Sequence, residues 1–209
     1  MKSSIKNLSL FKITDEISQN TYYGNNQEWF GSAWQRLSGC GPTAVANIIY
    51  YFNQTNPDTV SSEPAKRDCV ILMEEIWKYI TPSMGGISST SMLCKGVLKY
   101  IQAKQLNIKL DVIDIPKNRL LRPEFQKIIE FLVAALNKDM PVAFLNLHNG
   151  KVKELDSWHW VTVISLEYDE DQAYTDILDE GMIKKINLAE WFHTTIIGGG
   201  FVSFNRMHL

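Results

Sequence analysis

The spacing of apolar residues changes once along this chain, near Pro141, and that change limits the folds open to it. Before it, apolar side chains recur every three or four residues, the spacing of one buried helix face. Val70, Met73, Ile76, Trp77 and Ile80 predict a helix within 64–80. Leu93, Val97, Tyr100 and Ile101 predict another that is capped by Ser88 or Ser89 and ends near Lys104. A third amphipathic stretch covers 123–138, and the only long alternating stretch in this part is 106–115, ended by Pro116. Beyond Pro141, the stretches 142–147, 158–168, 173–178, 184–187 and 201–204 read as strands, with at most a helical turn at 189–193. Residues 1–34 read as irregular apart from a short strand around 8–13, with 19–26 as loop, and a polar stretch runs over 54–62. Helices first and strands last is the α+β pattern, not the alternation of a parallel α/β sheet. The 209 residues suit a single domain, with a helical lobe over about 30–140 and a β-rich lobe over about 141–209 sharing a cleft.

Within the helical part, the run Gln35-Arg36-Leu37-Ser38-Gly39-Cys40-Gly41-Pro42-Thr43-Ala44 places a thiol at the mouth of a helix. Pro42 suits a first helical turn, where its missing N–H is no loss. Ala44, Val45, Ile48, Ile49 and Phe52 then recur at helical spacing, so the helix runs to about Asn53 with one buried face. Gly39 and Gly41 leave room for another backbone beside the thiol. The partial positive charge of a helix start favours the thiolate, which is the nucleophilic form. Gln35, five residues upstream, can offer a side-chain N–H to the same spot. Most free cysteines are simply small buried hydrophobes; the helix start, the two glycines and the glutamine set Cys40 apart. Leu37-Ser38-Gly39-Cys40 has the form of a lipidation site, but the residues before it are mixed and polar where such a site needs an apolar run.

Charge and composition exclude several classes. Lysine and arginine number 21 against 23 aspartates and glutamates, a net charge of −2 with no basic run, which argues against nucleic acid or an anionic membrane as partner. No stretch reaches the roughly 18–20 apolar residues that span a bilayer. The first residues carry a lysine but no apolar block after it, so no signal peptide is expected and the cytoplasm is the expected location. Three cysteines, Cys40, Cys69 and Cys94, are too few and odd in number for a disulfide framework. None of His148, His159, His193 and His208 pairs with another histidine or cysteine at zinc-site spacing, so neither a metal nor a cofactor is expected. A phosphate-loop pattern is absent, and Gly198-Gly199-Gly200 is a bare glycine run that does not indicate one.

A thiol nucleophile needs a base. His159 opens a long strand, where its side chain can project into a cleft. His148 precedes the turn signal Asn149-Gly150, His193 lies in a short amphipathic turn and His208 is nearly terminal. A base in turn needs an orienting partner on its other ring nitrogen, and Asp176 and Asp179 are the candidates. With a three-residue loop at 169–171, residues facing each other across the hairpin have numbers summing to 340. His159 then faces Gly181, with Asp179 its diagonal neighbour on the same face, while Asp176 faces Ile164, too far along the strand.

Cys40 in Gln-x-x-x-x-Cys-Gly-Pro-Thr-Ala, His159 in His-Trp-Val-Thr-Val and Asp179-Glu180-Gly181 after a returning strand together resemble the papain-like cysteine peptidases, most of all their C39-like branch, which includes bacteriocin-leader-cleaving peptidases. The resemblance spans about residues 30 to 205 and rests on the order Cys, His, Asp and on a helical lobe followed by a β-rich one. It implies a papain-like fold with Cys40 as nucleophile, His159 as base, Asp179 as orienter and Gln35 in the oxyanion hole. It departs from the branch where Asp-Pro is common and this chain has Asp179-Glu180, and the fused membrane and ATPase parts of the bacteriocin exporters are not expected here. The implied activity is hydrolysis of a peptide bond in a peptide or protein through a thioester. The alternatives are an acyltransferase using the same thioester and a non-catalytic peptide-binding module of the same fold.

Overall fold

The computed structural model describes residues 1–56 and 64–207. Residues 57–62 of the polar stretch, and His208, lie outside the described residues.

Among the described residues the α-helices are α1 (Ala33–Ser38), α2 (Cys40–Gln54), α3 (Lys66–Trp77), α4 (Thr90–Lys104), α5 (Phe125–Asn137) and α6 (Leu188–Thr194). The strands are β1 (Lys2–Ser4), β2 (Lys12–Thr14), β3 (Thr21–Tyr23), β4 (Ile108–Ile115), β5 (Val142–Asn146), β6 (His159–Val163), β7 (Ser165–Tyr168), β8 (Ala173–Asp179), β9 (Met182–Asn187) and β10 (Gly199–Arg206). Between the two expected capping serines of α4, the structure selects Ser89, whose side chain accepts from the Met92 N–H and so satisfies one of the free donors at the helix start. At residues 8–13 the expected strand is instead a 3-10 turn, Leu8–Phe11, followed by β2.

All pairings of the large sheet are antiparallel. β10 lies between β4 and β5, and β5 pairs β6 on its other side. β6 and β7 are two halves of one bent strand: β8 pairs with both, β9 covers the far edge of β8, and β1 pairs β7. Helices cover both faces of this sheet. Along β5, Val142 and Phe144 belong to the cluster that includes α5 and α6, while Ala143 and Leu145 belong to the cluster formed with α2, α3 and α4. A strand buried on both faces reads as a continuous apolar run, as Val142-Ala143-Phe144-Leu145 does. On the α6 side, Phe144 stacks on Phe201 at 4.5 Å and meets the edge of Trp191 at 4.6 Å.

The strands are therefore not confined to the last third of the chain. β1 and β4 come from the earlier part and join the same sheet, and α5 packs on the face opposite α2. α2 is the central helix: it is buried from Gly41 to Ile49 and lies between β6 and α3. It follows α1 with one residue between them. That residue is Gly39, where a Cβ would stand 2.4 Å from the Gln35 carbonyl oxygen and 2.6 Å from Phe30 Cε2, so no larger residue fits the junction.

Candidate active site

Cys40 is the first residue of α2, where backbone N–H groups have no partner within the helix and carry the positive end of its dipole. Cys40 lines one small cavity with the His159 imidazole and is among the groups that act on that ring's ionisation. His159 is the first residue of β6, and its Nε2 lies 2.7 Å from Asp179 Oδ1, which leaves Nδ1 for the thiol. The His159 and Asp179 side chains are 13% and 3% exposed. Trp158, just before the histidine, has φ +61°, a left-handed conformation rare for a bulky residue, and stands 59% exposed.

The register that brings Asp179 to His159 arises in two steps. The turn after β7 is one residue longer than expected: Glu167 pairs with Tyr174 and Tyr168 with Ala173, and the Asp169 N–H donates to the Gln172 carbonyl. Three residues, 164–166, then face two, 175 and 176, before Val163 pairs with Ile177 and Thr162 with Leu178. This bulge takes up the extra residue, so the pairs nearest the site have the spacing expected of a shorter loop. Asp176 lies elsewhere, its Oδ2 accepting from the Ser165 hydroxyl at 2.7 Å.

Asp179 also begins the tight turn to β9, in which it pairs with Met182. The central residues, Glu180 at φ +52° and Gly181 at φ +75°, give the two left-handed positions that fit a two-residue hairpin. Glu180 pays conformational strain there, and its neighbours hold it: its carbonyl accepts from Asn26 Nδ2 at 2.9 Å and its carboxylate binds Lys184 Nζ at 2.9 Å. The same ammonium lies 2.8 Å from Asp179 Oδ2.

Charge and burial compete at this group. Burial alone lowers the His159 pKa, but the hydrogen bond to Asp179 and the neighbouring Cys40 and Asp179 groups outweigh it and lift it to about 10. Burial raises the Asp179 pKa, and His159 and Lys184 more than reverse this, leaving it below the usual carboxylate value. Elsewhere in the chain, burial, aided by the Asp68 charge, pushes the Cys69 thiol up to about 12, and burial with Asp114 pushes that of Cys94 up to about 11.

Asn25, Gln27, Thr43 and Asn47 line a small cavity with Cys40, His159 and Asp179. Asn47 ties the layers together, donating from Nδ2 to Thr162 Oγ1 at 3.1 Å and accepting the Asn25 N–H at 2.8 Å. Asn25 Oδ1, Gln27 Oε1 and Thr43 Oγ1 are buried there without a protein partner. On another side of Cys40 lies an apolar groove of about 200 Å³, walled by Trp34, Leu37, Met84, Ile87, Leu145, Leu147 and Trp158, with Gly85 and Gly86 at its edge.

Of the four residues expected at the site, the structure brings Cys40, His159 and Asp179 together and leaves Gln35 out. Gln35 is occupied at both ends of its side chain: Oε1 accepts from the Ser32 N–H and hydroxyl, closing a capping box on α1, and Nε2 donates to Glu74 at 2.6 Å. The sequence reading missed α1, whose six residues are too short to show a period. It also passed over Gln27, which sits thirteen residues before the thiol with no motif around it. The other described histidines lie apart: His148 Nδ1 accepts from the Gly150 N–H in a turn, and His193 packs on Phe125 and Phe192. Among the described residues, no side-chain cluster could hold a metal ion, and no helix is long and apolar enough to cross a membrane.

The bent antiparallel sheet, the thiol at the start of the central helix and the histidine on an adjoining strand define a papain-like α+β fold. A solved structure that shares it is the crystal structure of UfSP from C. elegans, with a TM-score of 0.52 and 13% sequence identity. The match covers 100% of this chain and 34% of that one, so this chain spans about a third of its length. No family model and no curated protein matches the sequence.

Proposed function

We propose that this protein is a papain-like cysteine peptidase acting on peptides or proteins. The observation that carries the reading is the Cys40 thiol, at the start of a helix, lining one cavity with an imidazole whose Nε2 is held at 2.7 Å by a buried carboxylate. A free structural cysteine has no use for such a chain of contacts; a nucleophile with its base and orienter requires it.

The reaction follows from these contacts. The Cys40 sulfur adds to the substrate carbonyl carbon while His159 holds the thiol proton on Nδ1. The tetrahedral intermediate collapses, His159 gives its proton to the departing amine, and a thioester remains. Water then attacks the thioester, His159 takes a proton from it, and the acid leaves as the thiol is restored. Asp179 keeps the ring in orientation and balances its charge without itself accepting the proton. The oxyanion is met by the Cys40 N–H and by Gln27, the glutamine that lines the cavity with the thiol. The groove beside Cys40 presents only apolar and small side chains apart from two serines, which suits an apolar substrate side chain near the scissile bond. The Cys-Gly-Pro-Thr-Ala and His-Trp-Val-Thr-Val motifs favour the C39-like branch within this class.

The test combines iodoacetamide labelling at neutral pH, mapped by mass spectrometry, with cleavage profiling of a peptide library. Cys40 is expected to label well ahead of Cys69 and Cys94, cleavage to follow apolar residues and Cys40→Ala to abolish it. Equal labelling of the three thiols in the folded protein overturns the reading. Selective labelling with no library peptide cut transfers it to an acyltransferase or a binding module.

A further inference from the structure

Asp179 has two carboxylate oxygens, and the reaction just described uses one. Oδ1 faces His159 at 2.7 Å, while Oδ2 is held at 2.8 Å by Lys184 Nζ, which reaches across from β9. The lysine side chain is itself 22% exposed and Asp179 only 3%. We propose that Lys184 is a positioning residue for this site: its ammonium fixes the rotamer through which Asp179 reaches the imidazole and shares the carboxylate charge with it. The inference rests on the peptidase reading of the site.

A buried carboxylate with a single cationic partner would place its whole charge on His159 and hold the imidazolium too strongly to release a proton to the leaving group. A second cation on the other oxygen weakens that hold while keeping Asp179 ionised. Glu180 moderates the lysine in turn, binding the same Nζ at 2.9 Å from a side chain that is 47% exposed. The charged and titratable groups around Asp179 are His159 from β6, Cys40 from α2, Lys184 from β9 and Glu180 from the turn, with Tyr22 packed against the adjoining Gly181. Asn25, Gln27, Thr43 and Asn47, which line the rest of the cavity, do not titrate.

The sign of the effect follows from charge. Removing the ammonium raises the proton affinity of Asp179, of His159 and of the thiol coupled to it, so the acid limb of the pair moves to higher pH. The readout is the pH dependence of Cys40 alkylation by iodoacetamide in the full chain, measured from pH 3 upward. Lys184→Met is expected to move the acid limb up by about one pH unit, and Lys184→Arg to restore it, because the limb follows charge and not shape. Glu180→Gln, which frees the ammonium from its competitor, is expected to move the limb the opposite way, and it tests the idea even if Lys184→Met does not fold. A Lys184→Met protein that melts lower but keeps the wild-type limb, or a Glu180→Gln limb that does not move down, overturns the proposal: Lys184 then only staples the hairpin. Alkylation needs no peptide, so this outcome is separable from a failure of the peptidase reading, which shows instead as unselective labelling of the wild-type thiols.

Discussion

Two glutamines precede the thiol, and the one with the expected spacing is not the one that lines its cavity. Gln35 has the spacing expected of an oxyanion donor, yet its amide closes a helix cap and binds Glu74. Gln27 has no such spacing and lines the cavity beside Cys40. Its Nε2 spends one proton on the Arg36 carbonyl at 3.0 Å and keeps a second. Alanine at each position should separate the roles. Gln27→Ala is expected to lower peptide turnover by roughly 10²–10³ while leaving Cys40 alkylation near the wild-type rate, since the oxyanion exists only during acyl transfer. Gln35→Ala is expected to cost about 1 kcal/mol of stability through the lost cap, with turnover of the folded protein little changed. Urea melts and peptide kinetics on both variants decide it; a turnover loss confined to Gln35→Ala would reverse the assignment.

The hairpin from β8 to β9 is the element on which the site depends most, because one tight turn fixes Asp179, Glu180 and Lys184 together. Gly181 holds φ +75°, and a Cβ added there would stand 3.0 Å from Tyr22 Cδ1. Gly181→Ala therefore meets both a left-handed backbone and a crowded ring, and is expected to destabilise the protein by about 1–2 kcal/mol. It should also slow Cys40 alkylation by displacing Asp179; a variant with wild-type stability would show that the turn relaxes without cost. The selection of Asp179 over Asp176 was legible in the sequence because alternation and a turn signal fix a hairpin to within one residue. The bulge at 164–166 was not, since Ile164, Ser165 and Leu166 carry no glycine or proline to mark it. Long periodic helices were legible for the same kind of reason: α3, α4 and α5 each repeat one apolar face over three turns or more. β1 was not, because three residues make no pattern and its pairing with β7 is set by contacts some 160 residues away.

At the scale of the whole molecule, the ion-paired site links stability to pH. The His159 pKa is raised from 6.5 to about 10, so its contribution is complete below 6.5 and is lost as the pH climbs towards 10. The Asp179 pKa is lowered from 3.8, so its contribution is complete above that value and is lost as the pH falls below it. Both are complete between about pH 4 and 6.5. The melting temperature of the wild type should exceed that of His159→Gln by most in that window, with the gap narrowing towards pH 10; a gap independent of pH would contradict the linkage. How the strands share one sheet was not legible in the sequence, because strand neighbours in space leave no local signature. β10 shows what this means in time. Residues 199–206 are made after both of the strands they separate, β4 and β5, and they enter between them. The sheet cannot grow outward from a finished centre as the chain emerges during synthesis; its interior closes late, through pairings distant in sequence that form slowly. A nascent chain thus carries its thiol long before the sheet behind the histidine is whole, and the order of synthesis itself delays the moment at which a reactive site can exist.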